Sequence, residues 1–193
     1  MHAVIAERLA PVVRSWEFEP ATADGQPAST QTGLLIHILA DELADGSLGM
    51  RLADAKTGPS AVSLAPPAYP MDAVRGGVEA MVMVTVEVNA DGSPVIVETA
   101  YESESSSGFY RKAFLASATE AVKHWKFRPE LVAGHVVPGS GVRIPIDYCL
   151  QVSSSSCSRR QKTAEAKRKL PAGLYLGDAS AVVLKTDISD QSI

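Results

Sequence analysis

The sequence predicts an α+β fold: a small antiparallel sheet in ββαβ order with one helix packed on a face, preceded by a partial αβ copy. Two observations lead to this class. Residues 78–88 alternate strictly between two kinds of side chain before an Asp-Gly turn, which is typical of a hairpin. Residues 114–125 then carry apolar side chains at helical spacing, and a second alternating stretch follows at residues 142–148.

A proline-rich segment opens this unit. Residues 65–70 read Ala-Pro-Pro-Ala-Tyr-Pro. Because each proline fixes its own φ and restricts the residue before it, the segment is expected to be rigid and extended. A short helical turn is expected from Met71 to Arg75, and the pair Gly76-Gly77 stops it.

The next two elements form the predicted hairpin. One face of the first strand carries Val78, Ala80, Val82, Val84, Val86 and Val88. The other face carries Glu79, Met81, Met83, Thr85 and Glu87. This period of two predicts a strand with one well-buried face. Asn89 to Gly92 supplies the turn, and the return strand is predicted from about Pro94 to Tyr101, with one side formed by Val95, Val97, Thr99 and Tyr101.

A helix and a third strand complete the unit. Ser107 is the predicted N-cap of the helix, and Pro129 follows its end. One face of the helix carries Phe114, Ala118, Ala121, Val122 and Trp125. The third strand is predicted to point inward through Val142, Ile144, Ile146 and Tyr148. Pro145 cannot donate to a ladder, so it belongs on an edge strand or an outward position.

The sequence contains an internal repeat, in which residues 16–20 resemble residues 125–129. Trp16-Glu-Phe-Glu-Pro20 resembles Trp125-Lys-Phe-Arg-Pro129. Gly25 and Gly134 are separated by the same number of residues as Trp16 and Trp125, and an apolar strand follows each glycine loop. A repeated order of elements indicates duplication. The first copy begins inside its helix, so we expect residues 1–40 to pack on the second copy or on another chain. A truncated reading frame would explain the pattern equally well.

The predicted organisation has three parts. Residues 1–58 form the partial copy and linker, residues 59–150 the complete domain, and residues 151–193 a tail. Leu48 to Asp54 is interpreted as a further short strand and residues 55–65 as linker. The tail holds a serine run, a basic cluster on a predicted helix and a terminal strand near residues 181–184.

Composition excludes several classes of protein. The chain has 193 residues, a net charge of -4 and 46% apolar residues, so it is globular and lacks the basic surplus of a nucleic-acid binder. No P-loop, dinucleotide fingerprint, paired catalytic groups or histidine pair at ligand spacing occurs, so we expect no enzyme, cofactor or metal. Cys149 and Cys157 either form a short disulfide loop or remain two thiols.

The sequence contains no run of about 18 apolar residues, so no membrane span is expected in this chain. Its start, from Met1 to Trp16, lacks a basic region followed by an apolar run, which distinguishes it from a secretory signal. Export of the chain as written therefore stays open.

Taken together, the motifs resemble the C-terminal domain family of TonB-type energy transducers. The motifs are Pro67-Ala-Tyr-Pro70, Gly76-Gly-Val78 before a valine-rich strand, the Asp91-Gly92 hairpin, the serine-rich loop ending at Gly108, Trp125-x-Phe-x-Pro129 and Val142-x-Ile-Pro-Ile146. Each motif is weak alone, but together they follow in the family's order from residue 66 to residue 150 without a break. From this sequence we expect no membrane anchor, no stalk of Pro-Lys and Pro-Glu repeats and no signal peptide, which distinguishes the chain from the family.

The resemblance implies a periplasmic peptide-binding module without catalytic activity. Such domains take up a TonB-box peptide of an outer-membrane transporter, or a peptide of another envelope protein, as a strand added to an open sheet edge. The residues implied in binding are Pro67, Tyr69, Pro70, Val142, Arg143, Ile144, Pro145, Ile146, Asp147 and Tyr148. The alternative is a structural or assembly protein of the envelope with no transport role, in which the half-repeat makes a homodimer.

Some residues keep two interpretations. Trp125 and Phe127 could line a groove, but core packing is the favoured interpretation. Tyr69 either contacts a partner or packs the proline-rich segment. Arg143 and Asp147 either recognise a partner or protect the edge with charge.

Overall fold

The computed structural model describes residues 2–103, 108–150 and 181–188. The helices are α1 (His2–Arg14), α2 (Met71–Arg75) and α3 (Arg111–Val122), and a 3-10 turn at Gly108–Tyr110 precedes α3. The strands are β1 (Phe18–Glu19), β2 (Thr22–Ala23), β3 (Gln26–Pro27), β4 (Thr30–Gln31), β5 (Gly33–Glu42), β6 (Leu48–Gly58), β7 (Ser60–Ser63), β8 (Ala80–Val88), β9 (Pro94–Glu102), β10 (Lys126–Arg128), β11 (Leu131–Val132), β12 (His135–Val136), β13 (Gly141–Tyr148) and β14 (Val183–Leu184).

The α+β class and the ββαβ order are confirmed. In residues 65–150, hereafter the C-terminal domain, β8 is the central strand of an antiparallel sheet ordered β13–β8–β9. Helix α3 packs on one face of this sheet. Phe114, Ala118 and Val122 of α3 are buried there with the even-numbered valines of β8. Trp125 and Phe127 belong to the same core, at 2% and 5% exposure, so the interpretation as core residues is confirmed.

Local signals fix the turns of this domain. Helix α2 has the predicted bounds, and Gly77, with φ of 63°, follows its end. In the hairpin turn the Asn89 N–H donates to the Ser93 carbonyl at 2.9 Å. The Asp91 carboxylate accepts bonds from the Ser93 N–H and hydroxyl at 2.9 and 2.6 Å, and Gly92 supplies the positive φ.

Two predictions about the faces of the hairpin were wrong. β8 is buried on both faces, because Met81 and Met83 are 0% and 1% exposed beside Ala100 on the face away from α3. In β9 a register shift leaves Val97 as an extra residue, so the alternation changes phase there. Val95 therefore lies opposite Glu87, whereas Tyr101 lies opposite Val82.

The N-terminal unit consists of residues 2–58 and residues 181–188. Its hairpin β5–β6 packs on α1 around a core of Trp16, Leu52 and Ile188. The Thr57 hydroxyl donates to the Val182 carbonyl at 2.6 Å, and β14 pairs with β1. The expectation that residues 1–40 pack on the second copy was only partly right. β4 does pair with β11, but the cover of α1 comes from β5, β6 and the late residues Leu184 and Ile188.

Residues 55–65 are not the linker that the sequence predicts. The strand predicted at residues 48–54 is confirmed and continues to Gly58, paired with β5, and β7 follows almost at once. β7 pairs with β10, which lies far later in the chain, beyond α3, so no local pattern announces it. The predicted terminal strand corresponds to β14, while the serine run, the basic cluster and Ser107 lie outside the described residues.

Several helices and strands of the two proposed copies are separated along the sequence by the same number of residues as Trp16 and Trp125. Helix α1 begins at residue 2 and α3 at residue 111, which are as far apart as the two tryptophans. Strands β2 and β11, which begin at residues 22 and 131, have the same separation. So do β3 and β12, which begin at residues 26 and 135. At this separation β5 corresponds to β13.

Candidate functional site

Strand β13 lies at one edge of the sheet in the C-terminal domain. Its residues all pair with β8 in a regular register, from Gly141 opposite Glu87 to Tyr148 opposite Ala80. No other strand in the described part of the chain pairs with its outer side. The expectation that Pro145 belongs on an edge strand is confirmed.

The hydrogen-bond pattern shows which backbone groups this edge presents. The Val88 N–H donates to the Ser140 carbonyl at 3.0 Å, so this pair is a bonded one. Because bonded and non-bonded pairs alternate, the even residues of β13 bond to β8. The groups directed outward therefore belong to Gly141, Arg143, Pro145 and Asp147. Pro145 has no N–H, which fits this outward position and leaves a gap in the donors of the edge.

The even side chains of β13 hold the strand on the core. Ile146 is 7% exposed and Tyr148 is 3% exposed. The Tyr148 hydroxyl donates to the Ser117 hydroxyl at 3.0 Å and lies 3.4 Å from the Phe114 carbonyl. Burial raises the pKa of Tyr148, and the hydrogen bond with Ser117 partly offsets this. Val142 and Ile144 are half-buried against the same core.

The odd side chains point to the opposite face. Asp147 is exposed, in register with Met81. Arg143 is half-buried in register with Thr85, and two of its guanidinium nitrogens, Nε and Nη2, are buried without a hydrogen-bond partner in the described structure. The charged side chains of this strand thus lie away from the apolar core that α3 covers.

Two glutamates hold the ends of β13, and sequence reasoning missed their role. The Glu87 carboxylate accepts a bond from the Gly139 N–H at 3.0 Å, just before the strand. The Glu79 carboxylate accepts a bond from the Leu150 N–H at 2.8 Å, just after it. In the sequence both alternate with the even-numbered valines and share a face with Met81. Their backbone partners, Gly139 and Leu150, are distant along the chain and gave no local signal.

The proline-rich segment meets β13 at Tyr148. The Tyr69 ring packs edge-on against the rings of Phe114 and Tyr148, with centroids 5.7 and 5.5 Å apart. Its hydroxyl donates to the Val78 carbonyl at 2.8 Å. Pro67 and Pro70 are half-buried beside it. Tyr69 thus has a packing role, and the structure brings it to the end of β13 at Tyr148.

The other edge of the sheet differs. β9 contains the irregularity at Val97 and begins with Pro94, and Val95 and Val97 are 48% and 42% exposed. A bulge discourages strand pairing, whereas β13, although it contains Pro145, pairs with β8 in an unbroken register. β13 is therefore the regular edge and β9 the irregular one.

Cys149 follows β13 directly and is disulfide-bonded. Cys157 lies outside the described residues, so the predicted pairing of the two stays a prediction. Within residues 2–103, 108–150 and 181–188, no cluster of His, Cys, Asp and Glu could hold a metal ion. None of the helices found there is long and apolar enough to cross a membrane.

Comparison with known proteins identifies relatives of the same stretch. Residues 65–150 match the family described as Gram-negative bacterial TonB protein C-terminal. Protein TonB of Xanthomonas campestris pv. campestris is 32% identical over 91 residues, which are 47% of this chain and 38% of that protein. Protein tonB2 of Pseudomonas aeruginosa is 38% identical over 84 residues, which are 44% of this chain and 28% of that protein. The match thus spans well under half the length of these relatives.

Proposed function

Residues 65–150 form a domain of the TonB C-terminal family, and we propose that this domain binds an extended peptide as a strand added along β13. The partner is a TonB-box-like peptide of an outer-membrane transporter or of another envelope protein, met in the periplasm. The family match and the relatives named TonB support this partner class. The function is energy transduction to such a transporter, and it requires no catalytic group.

One observation carries the proposal: β13 is a regular edge strand whose outer side is unpaired among the described residues. Main-chain bonds from an added strand give affinity, and side chains at alternate positions give selection. The residues that make the acceptor are Val142, Arg143, Ile144, Pro145, Ile146, Asp147 and Tyr148. Pro67, Tyr69 and Pro70 form the neighbouring contact at the end near Tyr148.

Titration with a TonB-box peptide tests the proposal directly. The backbone amide signals of residues 141–148 should shift in the nuclear magnetic resonance spectrum, because their outward groups would bond to the peptide. Shifts confined to β9 would place the peptide on the other edge. A folded protein with no shift along β13 at millimolar peptide would refute the proposal.

A gain of affinity gives a sharper test. Pro145→Ala restores the missing outward N–H, and one hydrogen bond contributes about 0.5–1.5 kcal/mol. We therefore expect the variant to bind the peptide roughly twofold to tenfold more tightly, measured by calorimetry.

Pro94→Ala is the matched control on the other edge. The pair Asn89–Ser93 is bonded, so the next pair, Val88–Pro94, is not, and Pro94 also faces outward. This substitution adds a donor to β9 and should leave peptide affinity unchanged. Equal effects of the two substitutions would contradict the assignment to β13.

We further propose that residues 1–58 contain a partial copy of the same domain. The support is the common separation of the two Trp-x-Phe-x-Pro segments, of α1 from α3, and of β2 from β11. The proposed domains are residues 1–58, 59–150 and 151–193, and residues 181–188 of the third pack on the first. The pairing of β7 with β10 supports the boundary near residue 59.

An assembly role without transport is the second candidate. The observation that favours it is the apolar surface of β5, where Leu35 is 61% exposed. Deletion of the gene should then disturb envelope assembly and leave transport through outer-membrane transporters intact. Loss of transport on deletion would favour energy transduction instead.

A further inference from the structure

The outer edge of β5 is a second open edge, in the N-terminal unit. β5 pairs with β6 on one side, and no described strand pairs with the other side. β7 approaches β5 at Gly33, which lies close to Ser60. β6, in contrast, is in contact with β14, which pairs with β1. The outer edge of β5 therefore has no strand partner among the described residues.

This edge lacks the usual protection against strand pairing. Residues 33–40 contain no proline and no Lys, Arg, Asp or Glu. The irregularity of this hairpin lies in β6, since the register moves from His37–Asp54 to Ile38–Leu52. Leu35 and Leu39 are 61% and 41% exposed. A long, apolar, regular edge pairs readily with another strand.

The direction of the backbone groups follows from the turn. The Leu43 N–H donates to the Ser47 carbonyl at 2.8 Å, so this pair is bonded. Along a regular strand the direction alternates, so the odd residues of β5 face β6. Ile36, Ile38 and Ala40 therefore direct their N–H and carbonyl groups to the open side. His37 directs its groups to β6 and can form only a non-bonded pair with an added strand.

The sequence at the centre of this edge is palindromic. Residues 35–39 read Leu-Ile-His-Ile-Leu. We propose that β5 pairs antiparallel with β5 of a second copy of this chain, about a twofold axis through His37. Leu35 then lies opposite Leu39 of the partner subunit, and Ile36 lies opposite Ile38 of the partner subunit. Each pair of positions then occurs twice, once on each side of the axis, as in any isologous interface.

The pairing satisfies both backbone and side chains. The Ile36 and Ile38 positions form bonded pairs across the axis, and Leu34 and Ala40 extend them by one step on each side. The exposed leucines of the two chains come together on one face. On the other face the half-buried Leu34, Ile36 and Ile38 already belong to the core with Trp16, which the second copy would extend. The product is a four-stranded sheet ordered β6–β5–β5–β6.

Cysteine substitution tests the axis. The Cα atoms of a non-bonded antiparallel pair lie about 4.5 Å apart, within the range for a disulfide. His37→Cys should therefore form a covalent dimer under mild oxidation, seen on a non-reducing gel. Leu35→Cys is the matched control, because its twin lies about 13 Å away along the strands. The double substitution Leu35→Cys with Leu39→Cys should restore the cross-link.

Sizing of the uncross-linked chain tests the interface itself. The chain should elute with twice its monomer mass. Leu35→Glu combined with Leu39→Glu places like charges opposite each other and should give a monomer. The fold should survive because both side chains are already exposed, and circular dichroism checks this. Val62→Glu, at a residue of 62% exposure on β7, is the control that should leave the dimer intact.

Each contrary result overturns the proposal. A monomer at all concentrations without cross-linking of His37→Cys excludes the dimer. Equal cross-linking of Leu35→Cys indicates random collision, and a dimer that survives both glutamates lies elsewhere. Amide shifts along β5 on adding a TonB-box peptide would mean that this edge takes a peptide instead. Because the glutamate variant leaves β13 unchanged, peptide binding by that edge is scored separately.

Discussion

The two long hairpins of the molecule, β5–β6 and β8–β9, are closed by the same tetrapeptide. Ala-Asp-Gly-Ser stands at residues 44–47 and again at residues 90–93. In both turns the aspartate accepts bonds from the serine N–H at 2.9 Å and from its hydroxyl at 2.6 Å. The glycines have φ values of 78° and 77°. The local structures are therefore equivalent.

The strands that enter these turns have different fates. β8 is paired on both sides and buried on both faces, whereas β5 is paired on one side and carries exposed leucines. The difference lies in distant partners, since β13 and α3 cover β8, while α1, β14 and Ile188 cover the β5–β6 hairpin on one face. Turn chemistry makes a hairpin, and long-range packing decides how much of it is buried.

The glycines of the two turns should break this equivalence most strongly. Alanine in the left-handed region costs about 1–2 kcal/mol in either turn. A Cβ at Gly46 meets open space, but one at Gly92 would overlap the Phe127 carbonyl oxygen and disturb the bond from the Phe127 N–H to the Gly92 carbonyl at 2.9 Å. Overlap of this kind costs about 1–3 kcal/mol more. Urea unfolding should show Gly92→Ala to be less stable than Gly46→Ala. Equal losses of stability would contradict the role of the contact between Gly92 and Phe127 of β10.

The two equivalent tryptophans give a second, smaller contrast. Trp125 Nε1 donates to the Ala65 carbonyl at 2.8 Å, whereas Trp16 Nε1 is buried without a partner among the described residues. Trp125→Phe removes a satisfied bond, while Trp16→Phe removes an unsatisfied donor, which itself costs about 1–3 kcal/mol. We expect Trp125→Phe to lower the free energy of unfolding by about 1–3 kcal/mol more than Trp16→Phe does. Each variant retains one tryptophan as a fluorescent probe of the other unit.

The aspartates of the turns should show the smallest effect. Hydrogen bonds from Ser47 and Ser93 lower the pKa of Asp45 and Asp91. A carboxyl whose pKa is lower in the folded than in the unfolded protein stabilises the fold at pH values above its unfolded pKa. This contribution disappears as the pH falls through the folded pKa. Lys126 also lowers the pKa of Asp91, so Lys126→Gln should raise it and leave Asp45 unchanged. Carboxyl titration by nuclear magnetic resonance measures both.

The sequence predicted the C-terminal domain well because its signals are local. The alternation of β8 and β13, the helical spacing of α3 and the Asp-Gly turn each lie within a short stretch of chain. The edge position of β13 followed from the same signals, since Pro145 in an alternating stretch indicates an edge, and its role in binding stays a proposal. Tyr69 could not be resolved from sequence, because its packing depends on Tyr148, which is distant along the chain.

The features that escaped prediction depend on distant contacts. β7 contains only Ser-Ala-Val-Ser, and its pairing with β10 makes it a strand. The extra residue at Val97 changes which side chains of β9 face the core, and alternation alone carries no mark of it. The full burial of Met81 and Met83 likewise exceeds what their positions on a polar face suggest.

The packing of Ile188 on Trp16 has a consequence for biosynthesis. The N-terminal unit is assembled from the first and the last described segments of the chain, and the C-terminal domain is inserted between them. Domains fold as their residues leave the ribosome, in the order in which they are made. Here α1 is made before residues 65–150, but Trp16 gains its contact with Ile188 only after residue 188 has emerged. The inserted domain can therefore complete its folding before Ile188 is available to pack on Trp16.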